Sequence, residues 1–458
     1  MFNVKMDEYR DGMLEDLSKL VSIPSVCSKA ESGYPFGRES AKALDYILDR
    51  ASKMGFAVKN VGNYAGHAEY GSGSDIAAVV THVDVVPAGT GWHTPPFTLT
   101  RKGSLVYGRG TADDKGAAVA ALYALKAIKD AGVIGNRKLR VIFGAGEEIA
   151  SDDLKRYFEK EPLPEMCFTP DSEYGICNCE KGILRIKLSE TAKYKSVIRK
   201  FNAGTVVNAV PGTAEAEISC TEQQYNKIKM LADEKKNFKI EKIDGGAKLT
   251  SIGQSVHAMM PQKGINAASR LILLLCEVFT EDEIGNFFTF LAKHVGMETN
   301  GRSIGVAKSD KESGELTLNV GLVSSENGES WVGFDIRYPV TADGDKIFET
   351  IKSAAGDAGI KAEMQLDNKP LYMPADSELI KILKDAYFDV MGEQAKIYST
   401  GGGTYAREMR GRAVAFGLIF PDEPDRRLHN FDEHIDMNYF MRHSQICLEA
   451  MYRMFTAK

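Results

Sequence analysis

The sequence has no apolar run long enough to cross a membrane. Its greasiest stretches, such as residues 271–276, fall far short of the ~20 apolar residues that span a bilayer. Residues 1–9 carry charge within a few positions and have no apolar centre, which is not the pattern of a secretory signal. An excess of basic residues is also missing. The 57 lysines and arginines are outnumbered by 63 acids, and the two signs are interspersed, which speaks against a nucleic-acid surface. Cysteine is scarce: seven residues in 458, an odd number scattered along the chain. Cys177 and Cys179 form a C-x-C, but no second pair completes a zinc ribbon, so free thiols in a reducing cytoplasm are the simpler reading. Internal repeats and low-complexity segments are absent too. What is there is an ordinary globular composition, 43% hydrophobic and 26% charged, at a length that calls for two or three domains.

Apolar spacing predicts helices over 9–21 and 38–54, the second with Leu44, Ile47, Leu48 and Ala51 on one face and Gly55 at its stop. Residues 56–61 and 68–70 read as short strands. Residues 76–80, 139–143 and 166–169 are apolar without alternation, as buried strands of a helix-covered sheet are. An alanine-rich helix is expected over 117–131. The texture changes near Gly182. Residues 183–189, 316–323 and 331–338 alternate like half-exposed antiparallel strands, 361–366 resembles another, and helices are expected at 227–236, 266–279 and 347–358. The first texture returns near Ala375, with a helix at 378–391, a strand at 414–418 and a helix at 437–455. The expectation is a discontinuous α/β domain, residues 1–182 and 375–458, with a separate α+β domain, 183–374, inserted between its parts.

Side chains of ligand type collect just after the predicted strands of the first domain, where open α/β sheets place their sites. Residues 107–116, Tyr-Gly-Arg-Gly-Thr-Ala-Asp-Asp-Lys-Gly, bring Asp113 and Asp114 through a glycine-punctuated turn to a helix start; alone, such a pair could simply cap the helix. His82-Val83-Asp84 puts a carboxylate on the same side of an extended chain as an imidazole, the usual partner of a metal-binding histidine's second nitrogen. Glu147 and Glu148 close a buried strand after a Gly-x-Gly turn. Asp171 follows the third strand, and His429 precedes Asn430-Phe431-Asp432-Glu433. Each alone reads as a surface or turn residue. Together, two imidazoles and four or five carboxylates suit zinc, with manganese or cobalt as alternatives. Two divalent ions carry +4 against −3 from Asp113, Glu148 and Asp171, and a bridging hydroxide would complete neutrality, which favours a two-metal hydrolytic site over one structural ion.

These motifs resemble those of the di-zinc peptidase family that holds aminoacylases, glutamate carboxypeptidases and carnosinases. The length, the long insert and Gly401-Gly-Gly-Thr-Tyr-Ala-Arg407 are most similar to its bacterial dipeptidase PepV branch. The resemblance implies a zinc-peptidase-like α/β catalytic domain, a mixed sheet flanked by helices, with an inserted α+β lid. It implies that Asp113 bridges two divalent ions, that His82 and Asp171 complete one ligand set and Glu148 and His429 the other, and that Asp114 is joined to Asp113 by a cis peptide. Glu147 matches the general base, Asp84 the orienter of His82 and His257 the donor to the oxyanion. Asn208, Arg337 and the backbone of Gly401, Gly402 and Gly403 match substrate-binding positions. Arg337 has the fork to hold a carboxylate, though an ion pair with Asp335 competes for it.

The expected activity is that of a metal-dependent dipeptidase, a metalloprotease of the cytoplasm acting on small dipeptides through a dinuclear metal-bound hydroxide. It has no nucleic-acid or membrane partner, and the long insert points to a monomer rather than a dimer. An N-acyl-amino-acid amidohydrolase of the same family is the nearest alternative, and a non-catalytic peptide-binding protein is the alternative from another class; the intact Glu147 and ligand set speak against the latter.

Overall fold

The computed structural model describes residues 2–149, 152–191 and 196–457. Its contacts divide the chain into two compact units. One comprises residues 1–178, 372–398 and 403–458, the other 179–371 and 399–402. The crossings thus fall a few residues before 182 and 374, and residues 399–402 pack with the second unit rather than the first.

The first unit is built on a mixed sheet. Strands β1 (Ala57–Val61), β2 (Ala65–Gly71), β3 (Ile76–His82), β4 (Lys138–Gly144) and β5 (Met166–Thr169) lie in the order β1-β2-β4-β3-β5, followed by Ala413–Phe416, Ile176–Glu180 and Leu371–Tyr372. β4, β3, β5 and Ala413–Phe416 run parallel to one another, and β1 and β2 are antiparallel additions. Every residue of β3 is buried, which is why its sequence is apolar without alternation. Among the helices, α1 is Arg10–Val21, α2 is Arg38–Lys53 and α3 is Lys115–Asp130. α2 packs on β1 and β2, while α3 and Met437–Thr456 pack on β3, on β4 and on each other. The expected strand at 414–418 ends early. Gly417 adopts φ 87°, and the chain restarts as Leu418–Ile419 beside Ser172–Glu173, outside the main sheet.

The second unit is an antiparallel eight-stranded sheet in the order Phe238–Ile243, Gly246–Ile252, Thr213–Ser219, Ile198–Ala203, Thr317–Glu326, Glu329–Tyr338, Gly182–Thr191 and Lys361–Asn368. Leu184, Ile186 and Leu188 enter a core shared with Phe201, Leu271, Phe287, Phe334 and Ile351. Arg185 and Lys187 on the same strand are only partly covered. No helix among the described residues is long and apolar enough to cross a membrane.

A buried polar chain ties β2 to β4. Glu69 stands directly opposite Arg140, whose Nη2 donates to Glu69 Oε2 at 2.6 Å and whose Nη1 donates to the Tyr157 hydroxyl at 3.0 Å. That hydroxyl lies 2.7 Å from His67 Nδ1 and donates to it. Burial, with Arg140 nearby, lowers His67 from its ordinary 6.5 to about 4. Between those values the unfolded chain binds a proton that the folded chain refuses. Stability present above about pH 6.5 is therefore lost as pH falls towards about 4. Urea midpoints should decline over this window. The decline should be shallower in His67→Gln, which keeps an acceptor for Tyr157; identical slopes in the two proteins would clear His67 of the effect.

Candidate metal centre

The parallel strands deliver their ligands to one edge of the sheet. His82 is the last residue of β3, and its register partner on β4 is Gly144, after which the chain turns through Gly146 into Glu147 and Glu148. β5, on the other side of β3, ends at Thr169, two residues before Asp171. Asp113 and Asp114 immediately precede α3 and are joined by a cis peptide. His429 lies in the connection between Leu418–Ile419 and His434–Asp436.

These side chains converge. His82 Nε2 is 3.0 Å from Asp113 Oδ1, and His429 Nε2 is 2.9 Å from Asp113 Oδ2 and 3.4 Å from Glu148 Oε1. Two ligand groups result, His82 with Asp113 and Asp171, and Asp113 with Glu148 and His429; within each, the candidate donor atoms lie within 4.8 Å of one another. Asp113 belongs to both groups and turns one oxygen to each histidine.

The other nitrogen of His82 is spoken for. Nδ1 lies 3.1 Å from the Asp84 carbonyl oxygen and 3.3 Å from Asp84 Oδ1, which leaves Nε2 to serve as a ligand. The fully buried Asp84 carboxylate also accepts the N–H of Glu147 at 3.2 Å and of Glu148 at 3.1 Å. One side chain therefore orients the histidine at the end of β3 and fixes the glutamate turn after β4.

The electrostatics call for cations. Burial, together with Asp113 and Glu148, pushes Asp171 up to about 7. Burial also holds Glu147 well above the usual carboxylate range, with Asp171, Glu148 and Asp84 adding to the effect. The Asp113 and Glu148 carboxylates beside it raise His429 to about 10. Burial works to lower His82, but Asp113 and Asp84 outweigh it and hold it well above its ordinary value. Among the described residues no lysine or arginine pairs with Asp113, Glu147, Glu148 or Asp171, and the buried Oε1 of Glu148 makes no hydrogen bond. Mixed imidazole and carboxylate donors around uncompensated negative charge fit divalent cations.

Three supporting residues escaped the reading of the sequence. Asp153 is buried and its Oδ2 accepts the N–H groups of Ala145 and Gly146, both at 2.9 Å, and the hydroxyl of Tyr405. Tyr405 also sets its ring edge-on to His82, 6.1 Å between centroids. Asp152-Asp153 resembles any acidic surface pair in the sequence, and nothing there signals the role; Tyr405 at least lies in the glycine-rich segment already singled out. Glu433 closes the His429 motif and is fully buried against the loop that carries Asp113.

The second unit holds the remaining candidates. His257 is paired by a β-bridge with Ala209, and the Asn208 carbonyl accepts the N–H of Ala258 at 2.9 Å. His257 Nδ1 accepts the Met259 N–H at 3.1 Å, so the neutral ring carries its proton on Nε2. Burial lowers this histidine's pKa and Arg337 adds to the effect, which keeps it neutral. The Arg337 fork is engaged: Nε and Nη2 donate to the two oxygens of Asp335 at 2.5 and 3.1 Å, and Nη1 donates to the Gly401 carbonyl at 2.8 Å. The competing ion pair with Asp335 is thus present. Of the three glycines, Gly402 donates its N–H to Thr400 Oγ1 at 3.0 Å.

Residues 78–454 match the family described as Peptidase family M20/M25/M40. A Bacillus subtilis (strain 168) protein described as "Putative dipeptidase YtjP" is 35% identical, with 99% of each chain covered. A Staphylococcus epidermidis protein described as "Putative dipeptidase" is 31% identical, again over 99% of each. Among solved structures, human carnosine dipeptidase 1 is 15% identical with a TM-score of 0.57, covering 98% of each chain. The di-peptidase Dug1p from Saccharomyces cerevisiae is 15% identical with a TM-score of 0.60, covering 99% of this chain and 98% of that one. These two likenesses establish a shared fold. By the family match and the near-full-length relatives, the chain belongs to peptidase family M20/M25/M40.

Proposed function

We propose that this protein is a metal-dependent dipeptidase whose two divalent ions, zinc by default, are held by His82, Asp113 and Asp171 and by Asp113, Glu148 and His429. The carrying observation is that Asp113 turns one oxygen to each ligand group. The near-full-length relative described as a dipeptidase supports the choice of substrate. Bound there, such ions would polarise the scissile carbonyl and make a water acidic enough to attack it near neutral pH.

The chain's own groups do the rest. Glu147, whose backbone N–H is fixed by Asp84 Oδ1, takes the proton of the attacking water on its carboxylate and returns it to the leaving amine. Asp84 keeps the His82 proton on Nδ1 and the Nε2 lone pair directed at the ligand group. His257 donates from Nε2–H to the carbonyl oxygen as negative charge develops on it; the Met259 N–H on Nδ1 fixes that tautomer. Asn208, Arg337 and the backbone of 401–403 receive the substrate, Arg337 taking the C-terminal carboxylate while Asp335 holds its guanidinium in place. The scarce, scattered cysteines, odd in number, favour the cytoplasm, and the long insert favours a monomer.

Glu147→Gln should bind metal as the unmodified protein does and lose at least ~100-fold in kcat on an Ala-Ala-type dipeptide, the usual scale for a general base. Glu148→Gln should instead lower the metal-to-protein ratio after dialysis. A metal-replete Glu147→Gln protein with near-normal turnover would exclude Glu147 as the base.

Substrate class is read from the carboxylate. Dipeptides with a free C-terminus should be preferred over their amides and over N-acetylated amino acids. Arg337→Lys keeps the charge but loses the fork, and should raise KM for free dipeptides by about 10–100-fold while narrowing the preference over amides. Equal losses on free and amidated substrates would assign Arg337 to structure alone, and faster turnover of the N-acetylated amino acids would make the protein a deacylase.

A further inference from the structure

The two ligand groups are mounted differently. His82 and Asp171 stand at or beside the ends of neighbouring parallel strands in the middle of the sheet, so the backbone ladder sets their spacing. His429 has no such support. Its side chain is 56% exposed, it adopts the left-handed φ of 58°, and no strand runs between Ile419 and His434. Something else must set its distance from Asp113.

Glu433 stands where that control is needed. It is fully buried, and its Oε1 accepts three backbone N–H groups from the loop before α3: Gly110 at 3.0 Å, Ala112 at 2.9 Å and Asp113 itself at 3.1 Å. Its Oε2 pairs with Arg109 of the same loop, and its carbonyl oxygen accepts the Gly108 N–H at 3.0 Å. Arg109 reaches back with Nη2 to the carbonyl of Asn430, the residue after His429, at 3.1 Å. The next residue, His434, pairs in antiparallel register with Tyr107. Every one of these contacts joins the His429 segment to the Asp113 loop.

We propose that Glu433 is a positioning residue for the second ligand group. Its carboxylate holds the backbone of Asp113 and the segment bearing His429 in one fixed relation, so the Asp113–Glu148–His429 group depends on it. The His82–Asp113–Asp171 group stands mainly on the sheet. The carboxylate touches neither substrate nor ion; it acts through the residues that do. The inference rests on the two-ion reading of the centre, and its readout is metal binding rather than turnover, so the two can fail separately.

The test titrates the full-length, chelator-stripped protein with manganese(II) and follows the ion by electron paramagnetic resonance. The free-ion signal counts bound equivalents, and the exchange-coupled pattern reports a pair. The unmodified protein should bind two equivalents as a coupled pair. Glu433→Gln should bind the first equivalent within ~3-fold of the unmodified affinity and the second at least ~10-fold more weakly, without the coupled pattern at two equivalents. Glu433→Asp, which keeps the charge but shortens the reach, should shift the second equivalent in the same direction by less. It carries the test alone if circular dichroism shows that Glu433→Gln does not fold. Two equivalents held as tightly as before, or both weakened equally as by a general lesion, would overturn the proposal. A single equivalent in the unmodified protein would remove the two-ion reading and this inference with it.

Discussion

Burying several carboxylates at one edge of a sheet is unfavourable unless each finds a partner, and the first unit is arranged around that constraint. Asp84 is met by two backbone N–H groups, an imidazole and the Cys27 thiol, Asp153 by three N–H groups and a tyrosine hydroxyl, and Glu433 by three N–H groups and an arginine. Those three are satisfied by protein alone. Asp113, Glu148 and Asp171 are not: they face two histidines and one another, with no lysine or arginine paired to them among the described residues. That contrast separates scaffold from site. The satisfied carboxylates fix the loops, and the unsatisfied ones are the places where cations belong.

The parallel strands make the arrangement possible. A strand buried on both faces cannot carry charge along its length, so the polar groups are displaced to its end, where the chain emerges. Neighbouring strands in parallel register bring those ends to the same edge, which is how residues as far apart in sequence as His82 and Asp171 share one ligand group. The second unit solves a different problem. Its antiparallel sheet keeps one face for a core and leaves the other for polar chemistry, and Arg185, Asp335 and Arg337 form a linked cluster there.

Much of this was legible beforehand, for identifiable reasons. The unbroken apolar runs at 76–80, 139–143 and 166–169 marked buried strands, and the chemistry after each marked the site edge. His82, Asp113, Glu148, Asp171 and His429, far apart in sequence, come together in two groups that could each hold an ion. The strands Thr213–Ser219 and Gly246–Ile252 were missed because their inward positions include Ala214, Ala216 and Ala247, too weakly hydrophobic for their alternation with polar neighbours to stand out. The helix expected at 227–236 begins earlier, at Glu222, because Thr221 and Gln224 form a capping box that was overlooked. Asp153 could not be found, since an acidic residue that caps a turn through tertiary contact looks like one that faces water. The sequence leaves the Arg337 fork between a substrate carboxylate and an ion pair with Asp335; the two residues share one face of a strand, and the ion pair is made.

The central claim is that Asp113 is shared by two ions. Anomalous diffraction from zinc-soaked crystals, recorded on both sides of the zinc edge, addresses it directly. Two peaks about 3.5–4 Å apart should flank the Asp113 carboxylate, the usual separation in two-metal hydrolytic sites. One should lie beside His82 and Asp171, the other beside Glu148 and His429. A single peak, or a pair of peaks that do not share Asp113, would contradict the account.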